Sequence, residues 1–129
     1  MPTIFTEIVA GKTPCHRVWE DEEFLAFLDV RPVTAGHTLV IPKREIAYLF
    51  DLEPGAYGRL MEAARRVAVG LKRATGCARV CVMVIGWEVP HVHVHLVPTM
   101  AAGEVGMPAP KGDPVDLAAM AARIAAALR

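Results

Sequence analysis

The sequence predicts an α+β fold: a mainly antiparallel, five-stranded sheet with one long covering helix and a further helix at the C-terminus. Three observations carry this expectation. Strand-like runs fall in two groups, before and after one long stretch of helical periodicity, without the regular strand-helix alternation of a parallel sheet. Residues 90 to 98, Pro-His-Val-His-Val-His-Leu-Val-Pro, alternate polar and apolar positions with the period of two that belongs to a strand. The 129 residues suffice for one hydrophobic core and are too few for two, so 1–129 is read as a single domain.

The elements follow in order. Ile4, Phe5, Ile8 and Val9 recur at helical spacing until Gly11 stops them, which predicts a short amphipathic helix. Arg17 to Glu20 and Phe24 to Asp29 read as strands joined by a hairpin turn at Asp21-Glu22. Proline and glycine punctuate Val30 to Gly36 as a loop, and Thr38 to Ile41 forms the third strand. Leu60, Ala64, Val67, Ala68 and Leu71 space out one face of the long helix, with Pro54 suited to its first turn and Gly76 to its end. Arg79 to Ile85 makes a fourth strand, Gly86 to Pro90 a tight connection, and the histidine row an antiparallel fifth. Ala101 to Lys111 is a loop. Asp113 as N-cap, Pro114 in the first helical position and Asp116 three after the cap then start the terminal helix.

Composition narrows the class of partner. Lysine plus arginine and aspartate plus glutamate number 14 each, which leaves no basic footprint for nucleic acid and no acidic tail. A small-molecule ligand fits better. The longest apolar stretch, Leu117 to Leu128, is broken by Arg123 and is shorter than a membrane span, and the start lacks a basic region followed by an apolar one. A soluble, cytoplasmic protein with no membrane partner is therefore expected. Cys15, Cys77 and Cys81 lack the paired spacing of a structural zinc site and read as free thiols.

Three of the five histidines, His91, His93 and His95, stand at alternate positions of one strand, so all three share a face while Val92, Val94 and Leu96 share the other. Packing requires the apolar row but not that every opposing position be imidazole, whose proton leaves near neutral pH. A solvated face without a role would carry mixed polar types. Two chemistries suit the row. Neutral imidazoles can bind a metal, although three same-face positions span about 13 Å, which is long for three bonds of about 2 Å to one ion, so two would share it. Alternatively one imidazole is a nucleophile toward phosphorus, oriented by its neighbours and a backbone carbonyl, while nearby donors stabilise the equatorial oxygens. Crowded imidazoles oppose one another's protonation, so activity is expected to fall on acidification. His37 follows a glycine at the mouth of a strand, from which a side chain can reach a cleft. His16 adjoins a polar turn and reads as a surface residue.

His91-Val-His-Val-His95, flanked by Val89-Pro90 and Leu96-Val-Pro98 and preceded by Asp29 and by Gly36-His37-Thr-Leu-Val-Ile-Pro-Lys43, resembles the histidine triad (HIT) family of nucleotide hydrolases and transferases. The likeness runs from Ile4-Phe5 through Glu20-Asp21-Glu22 and Ala26 to Val30 as far as Pro98, making residues 1–100 the family core and 101–129 an appended loop and helix. It implies a HIT-like fold and a homodimer that binds a purine nucleotide and cleaves the bond from its phosphate to a leaving group, with no cofactor and no metal. Phosphoramidates and dinucleoside polyphosphates are the implied substrate types. By position, His93 would be the nucleophile and form a nucleotidyl-histidine intermediate. His91 and His95 would orient it and contact phosphate oxygens, with His37 as the fourth member of the cluster.

The resemblance also places Asp29 on the ribose hydroxyls and Ile4, Phe5, Ile8, Phe27 and Val30 around the base. Ordinary core is the other reading of those five apolar residues. Gly86 and Glu88 fall where the family approaches phosphate and the leaving group. Here the chain departs from the family pattern: the usual asparagine is missing from Val82-Met83-Val84-Ile85, Trp87 replaces a glutamine, and Thr99 stands where an arginine is common. The departures bear on rate and leaving group, and they keep open a nucleotide-binding module with weak or lost chemistry, besides the metal-dependent alternative.

Overall fold

The computed structural model describes residues 2–105 and 116–129. Its elements are α1 (Ile4–Val9), β1 (Arg17–Glu20), β2 (Phe24–Leu28), β3 (Thr38–Pro42), α2 (Pro54–Thr75), β4 (Arg79–Met83), β5 (Val94–Thr99) and α3 (Leu117–Ala127), with single 3-10 turns at Leu49–Asp51 and Ala102–Glu104. The five strands form one sheet in the order β1-β2-β3-β5-β4, and every neighbouring pair is antiparallel. The α+β class and the strand count expected from the sequence are both present.

Local chemistry sets most boundaries as anticipated. The Asp21 carboxylate accepts the backbone N–H groups of Glu23 and Phe24 at 2.8 and 2.7 Å, which closes the β1-β2 turn. Pro54 occupies the first turn of α2, and Gly76 ends it in the left-handed conformation with φ of 68°. α3 begins at Leu117, where the Asp116 side chain accepts from the N–H of Ala119 and is itself the N-cap. The expected cap and first residue, Asp113 and Pro114, lie outside the described residues.

The sheet is covered on both faces. Phe24, Ala26, Leu28, Val40, Val94 and Leu96 pack with Leu60, Val67 and Leu71 of α2 and Ile124 of α3. On the opposite face Leu25, Phe27, Leu39 and Ile41 meet Phe5 and Ile8 of α1. β2 and β3 are consequently buried at every position and read as continuous apolar runs instead of alternating ones.

Four strand ends differ from expectation; the smallest change is in β3, which runs one residue further, to Pro42. β2 stops at Leu28, β4 stops at Met83, and β5 starts only at Val94, so His91 and His93 precede the strand instead of lying in it. Pro90 cannot donate a ladder bond, and the N–H of Val92 goes to the carbonyl of Ile46 at 2.8 Å, away from the β4 side. The connection from β4 to β5 is therefore an ordered ten-residue excursion, residues 84 to 93, where a tight turn at Gly86 to Pro90 was expected.

Gly36 fixes the loop that delivers His37. Its φ is 94°, and a Cβ there would lie 3.0 Å from Thr75 Cγ2 and 3.2 Å from Pro98 Cγ. Gly36→Ala combines left-handed strain with overpacking and is expected to cost about 1–3 kcal/mol of stability. A urea midpoint unchanged from wild type would contradict this.

Candidate active site

All four histidines of the expected cluster are buried, His91 and His37 almost completely and His93 and His95 nearly so. They converge from three segments: His37 from the mouth of β3, His95 from within β5, and His91 and His93 from the excursion before it. His95 is paired with Leu39 on one side and Met83 on the other, which holds its ring on the α1 face of the sheet. A solvated strand face is ruled out by this burial.

The hydrogen bonds determine where each neutral ring carries its proton. His93 Nδ1 lies 2.7 Å from the carbonyl oxygen of His91, and a carbonyl only accepts, so Nδ1 is the protonated nitrogen and Nε2 keeps a lone pair. His91 Nε2 lies 2.7 Å from the carbonyl of Pro42, so that ring carries its proton on Nε2. His37 Nδ1 accepts the N–H of Val33 at 3.0 Å, which leaves Nε2–H to donate to His95 Nδ1 at 3.0 Å. His95 in turn keeps its proton on Nε2. The cluster thus presents one unshared imidazole lone pair, on His93, beside one imidazole N–H donor, on His95, with the two rings 4.9 Å apart.

Burial also controls protonation. Desolvation is the main reason the pKa of His95 falls from 6.5 to about 4; the neighbouring His93 and His37 lower it further while Asp29 opposes them. Desolvation likewise lowers His37, against a raising effect of Asp29 and with a smaller lowering by His93. For His91 desolvation again leads, opposed by the Pro42 carbonyl and Glu45.

Asp29 stands at the rim just past β2. One carboxylate oxygen accepts the N–H of Arg31 at 2.9 Å, and the other lies 3.7 Å from His37 Nε2. Asp29, His37 and His95 could together offer three ligand atoms to a metal, all within 4.8 Å of one another. A cation bound through His37 Nε2 would have to displace the proton that His37 donates to His95.

The apolar residues divide. Phe5 packs edge-on against His93, with ring centroids 4.9 Å apart, and against Phe27 at 5.6 Å, so Phe5, Phe27 and Ile8 are core and Phe5 is also a wall beside the histidines. Ile4 and Val30 are 47% and 68% exposed. Gly86 adopts φ of 80° on the β4-β5 connection, where Glu88 is exposed and Trp87 is 90% exposed. Among the described residues no hydrogen bond or ion pair joins Glu88 to the four histidines. His16 is half-buried instead of fully exposed; its carbonyl accepts the N–H of Leu28, which tucks it against the start of the sheet.

Sequence reasoning missed Thr3, Thr6 and Glu45, which surround His91. Thr3 Oγ1 lies 3.1 Å from His91 Nδ1, and Glu45 accepts both the Thr3 N–H and the Thr6 hydroxyl. Thr3 could have been read as the N-cap of α1, since a threonine precedes the apolar repeat. Nothing local marks Glu45, whose partners are 39 and 42 residues away.

Comparison with known proteins agrees with this geometry. Residues 10–102 match the HIT domain. An uncharacterized HIT-like protein of Mycobacterium tuberculosis is 40% identical over 104 residues, covering 76% of this chain and 72% of its own. Adenylylsulfatase HINT3 of Arabidopsis thaliana is 28% identical over 100 residues, covering 74% of this chain and 51% of its own. Among solved structures, a hypothetical histidine triad nucleotide-binding protein from Sulfolobus tokodaii superimposes with a TM-score of 0.84 at 26% identity, covering 97% of this chain and 91% of that one. With the domain match spanning most of its length, and a five-stranded sheet that brings His37 to the other three histidines, the chain belongs to the HIT domain family.

Proposed function

We propose that this protein is a nucleotide-binding hydrolase that cleaves the bond between phosphorus and a leaving group in purine nucleoside monophosphate derivatives, through a nucleotidyl-His93 intermediate. The observation that carries this is the bond from His93 Nδ1 to the His91 carbonyl, which leaves Nε2 as the one unshared imidazole lone pair of the cluster. The names of two relatives point the same way: one is an adenylylsulfatase and one a nucleotide-binding protein.

Nε2 attacks phosphorus, the N–P bond forms, and the bond to the leaving group breaks; an amine leaving group departs with a proton taken from solvent. The ring then carries phosphorus on Nε2 and hydrogen on Nδ1, and its positive charge is stabilised by the His91 carbonyl dipole. His95, neutral because burial holds its pKa near 4, directs Nε2–H at a phosphate oxygen. Water then attacks phosphorus and releases a proton to solvent, the N–P bond breaks with its electron pair returning to Nε2, and nucleoside monophosphate leaves as His93 returns to its starting tautomer.

Asp29 is assigned to the ribose hydroxyls, as an acceptor at the rim. Ile4, Phe5, Ile8, Phe27 and Val30 are assigned to the base, and Gly86 and Glu88 to the phosphate and leaving-group side. A homodimer is part of this reading and finds support in β4, an edge strand on which Val82 is exposed. The cytoplasmic setting finds support in three cysteines that are all free thiols. No helix among the described residues is long and apolar enough to cross a membrane.

One observation favours a second reading, a nucleotide-binding module with little chemistry: Trp87 and Glu88 are exposed in the stretch that departs from the family pattern. Trapping separates the two. Rapid mixing with adenosine or guanosine phosphoramidate, or with a dinucleoside polyphosphate, is expected to leave an acid-labile nucleotidyl group that mass spectrometry maps to His93. Binding of nucleotide with no covalent adduct in any donor would establish the module instead. Activity abolished by a chelator and restored by a divalent ion would establish the metal-dependent alternative.

A further inference from the structure

We propose that Thr3, Thr6 and Glu45 form a positioning relay that locks His91 in its Nε2–H tautomer and thereby fixes the carbonyl that aims His93. The inference rests on the assignment of His93 as nucleophile, but the relay itself has an independent signature.

His91 Nε2–H is committed to the Pro42 carbonyl, so His91 Nδ1 can only accept. The Thr3 hydroxyl, 3.1 Å away, supplies the proton. Its oxygen remains an acceptor and takes the N–H of Thr6 at 3.2 Å. Thr6 spends its own hydroxyl proton on Glu45, and the same carboxylate oxygen accepts the Thr3 N–H at 2.9 Å. Glu45 can only accept when ionised, so it fixes the direction of the Thr6 hydroxyl and, through the Thr3 N–H, the backbone that carries the Thr3 hydroxyl. The contacts then run without a break: the carboxylate holds Thr6 and the Thr3 backbone, the Thr6 N–H occupies Thr3 Oγ1 as acceptor, the Thr3 hydroxyl meets His91 Nδ1, and His91 Nε2–H meets the Pro42 carbonyl.

Both ends of the His91 ring are thus anchored, one to α1 and one to the end of β3. Its backbone is held as well, by the bond from the His91 N–H to the Val89 carbonyl at 2.8 Å. A residue outside the β-ladder needs such anchors, because no strand neighbour fixes its carbonyl. The carbonyl in question is the one that holds His93 Nδ1–H at 2.7 Å. Thr3, Thr6 and Glu45 are positioning residues in this scheme, since they act through His91 and touch no reacting atom.

The test reads the imidazole directly. Long-range proton-nitrogen NMR of the intact protein at pH 7.5 is expected to show His91 as a single Nε2–H tautomer. Thr3→Val and Glu45→Ala are both expected to shift it toward a mixture of tautomers, and to lower kcat about tenfold with KM within about twofold, as for loss of an interaction realised in the transition state. Thr3→Ser, which keeps the hydroxyl, should retain the Nε2–H tautomer. Glu45→Ala leaves the α1 cap intact, so it decides the question even if Thr3→Val fails to fold.

A His91 ring that is mixed or Nδ1-protonated in the wild type, or that keeps its tautomer in both variants, overturns the relay. So does a pure KM effect. If the wild type turns over none of the donors, the proposed function falls, while the NMR result still decides the relay.

Discussion

Replacing His93 with alanine or glycine is expected to remove at least about three orders of magnitude from turnover of an adenosine phosphoramidate, as expected when a covalent nucleophile is lost. The size follows from the geometry. The lone pair of each other ring is already taken, that of His91 Nδ1 by the Thr3 hydroxyl, that of His37 Nδ1 by the Val33 N–H and that of His95 Nδ1 by His37, so no neighbour can take over the attack. His93 alone keeps an unshared lone pair, on Nε2. Because its ring also packs on Phe5, the glycine variant opens a small cavity, yet the other three rings keep their bonds and nucleotide affinity should fall far less than turnover. Steady-state kinetics with nucleoside monophosphate binding measured in parallel makes the check. Turnover within tenfold of wild type would sink the assignment.

Acidification is expected to destabilise the protein progressively from about pH 6.5 downward. His95 has a folded pKa near 4 and an ordinary value of 6.5, so the unfolded chain takes up the proton first. Its stabilising effect is therefore fully present above about pH 6.5 and is lost as the pH falls toward 4. The shift corresponds to about 3 kcal/mol from this one ring. His37 and His91 are lowered by the same burial and act with the same sign. Against the 5–15 kcal/mol typical of a domain, losses of this order are large. Urea midpoints at pH 7.5, 6 and 5 should fall steadily, and His95→Gln, which has no imidazole to protonate, should flatten part of the slope. A midpoint independent of pH across that range would show that the row is not desolvated as described.

The contrast between what the sequence disclosed and what it withheld follows the range of the forces involved. α2 was legible because its apolar positions repeat with the helical period, and β2 and β3 because they are short, continuous apolar runs bounded by turn signals, properties of neighbouring residues alone. The clustering of His37 with the triad came from the family likeness, and the sheet order explains it physically, since β3 and β5 are neighbours. The path of His91 and His93 was not legible. Alternation predicted a strand there, but the competing partners, the carbonyls of Pro42 and Ile46, come from a segment more than 40 residues earlier and belong to no repeat. Glu45 was missed for the same reason. Ile4 and Val30 were placed on the base pocket by position in the family pattern, and their exposure depends on a rim that no local pattern encodes.

The burial of β2 and β3 on both faces carries a cost that the histidines help to remove. In a strand that is apolar on one side only, a slip of one residue exposes the hydrophobic set and is strongly opposed. β2 and β3 lack that safeguard, because Phe24, Ala26 and Leu28 would be about as content on the α1 side as Leu25 and Phe27 are. β5 is different: slipped by one, it would press His95 into the aliphatic layer under α2, where an imidazole finds no partner for either nitrogen. His95 is thus a key to alignment as well as a member of the cluster, and a chain stripped of it would lose a device for telling the correct sheet from its near neighbours.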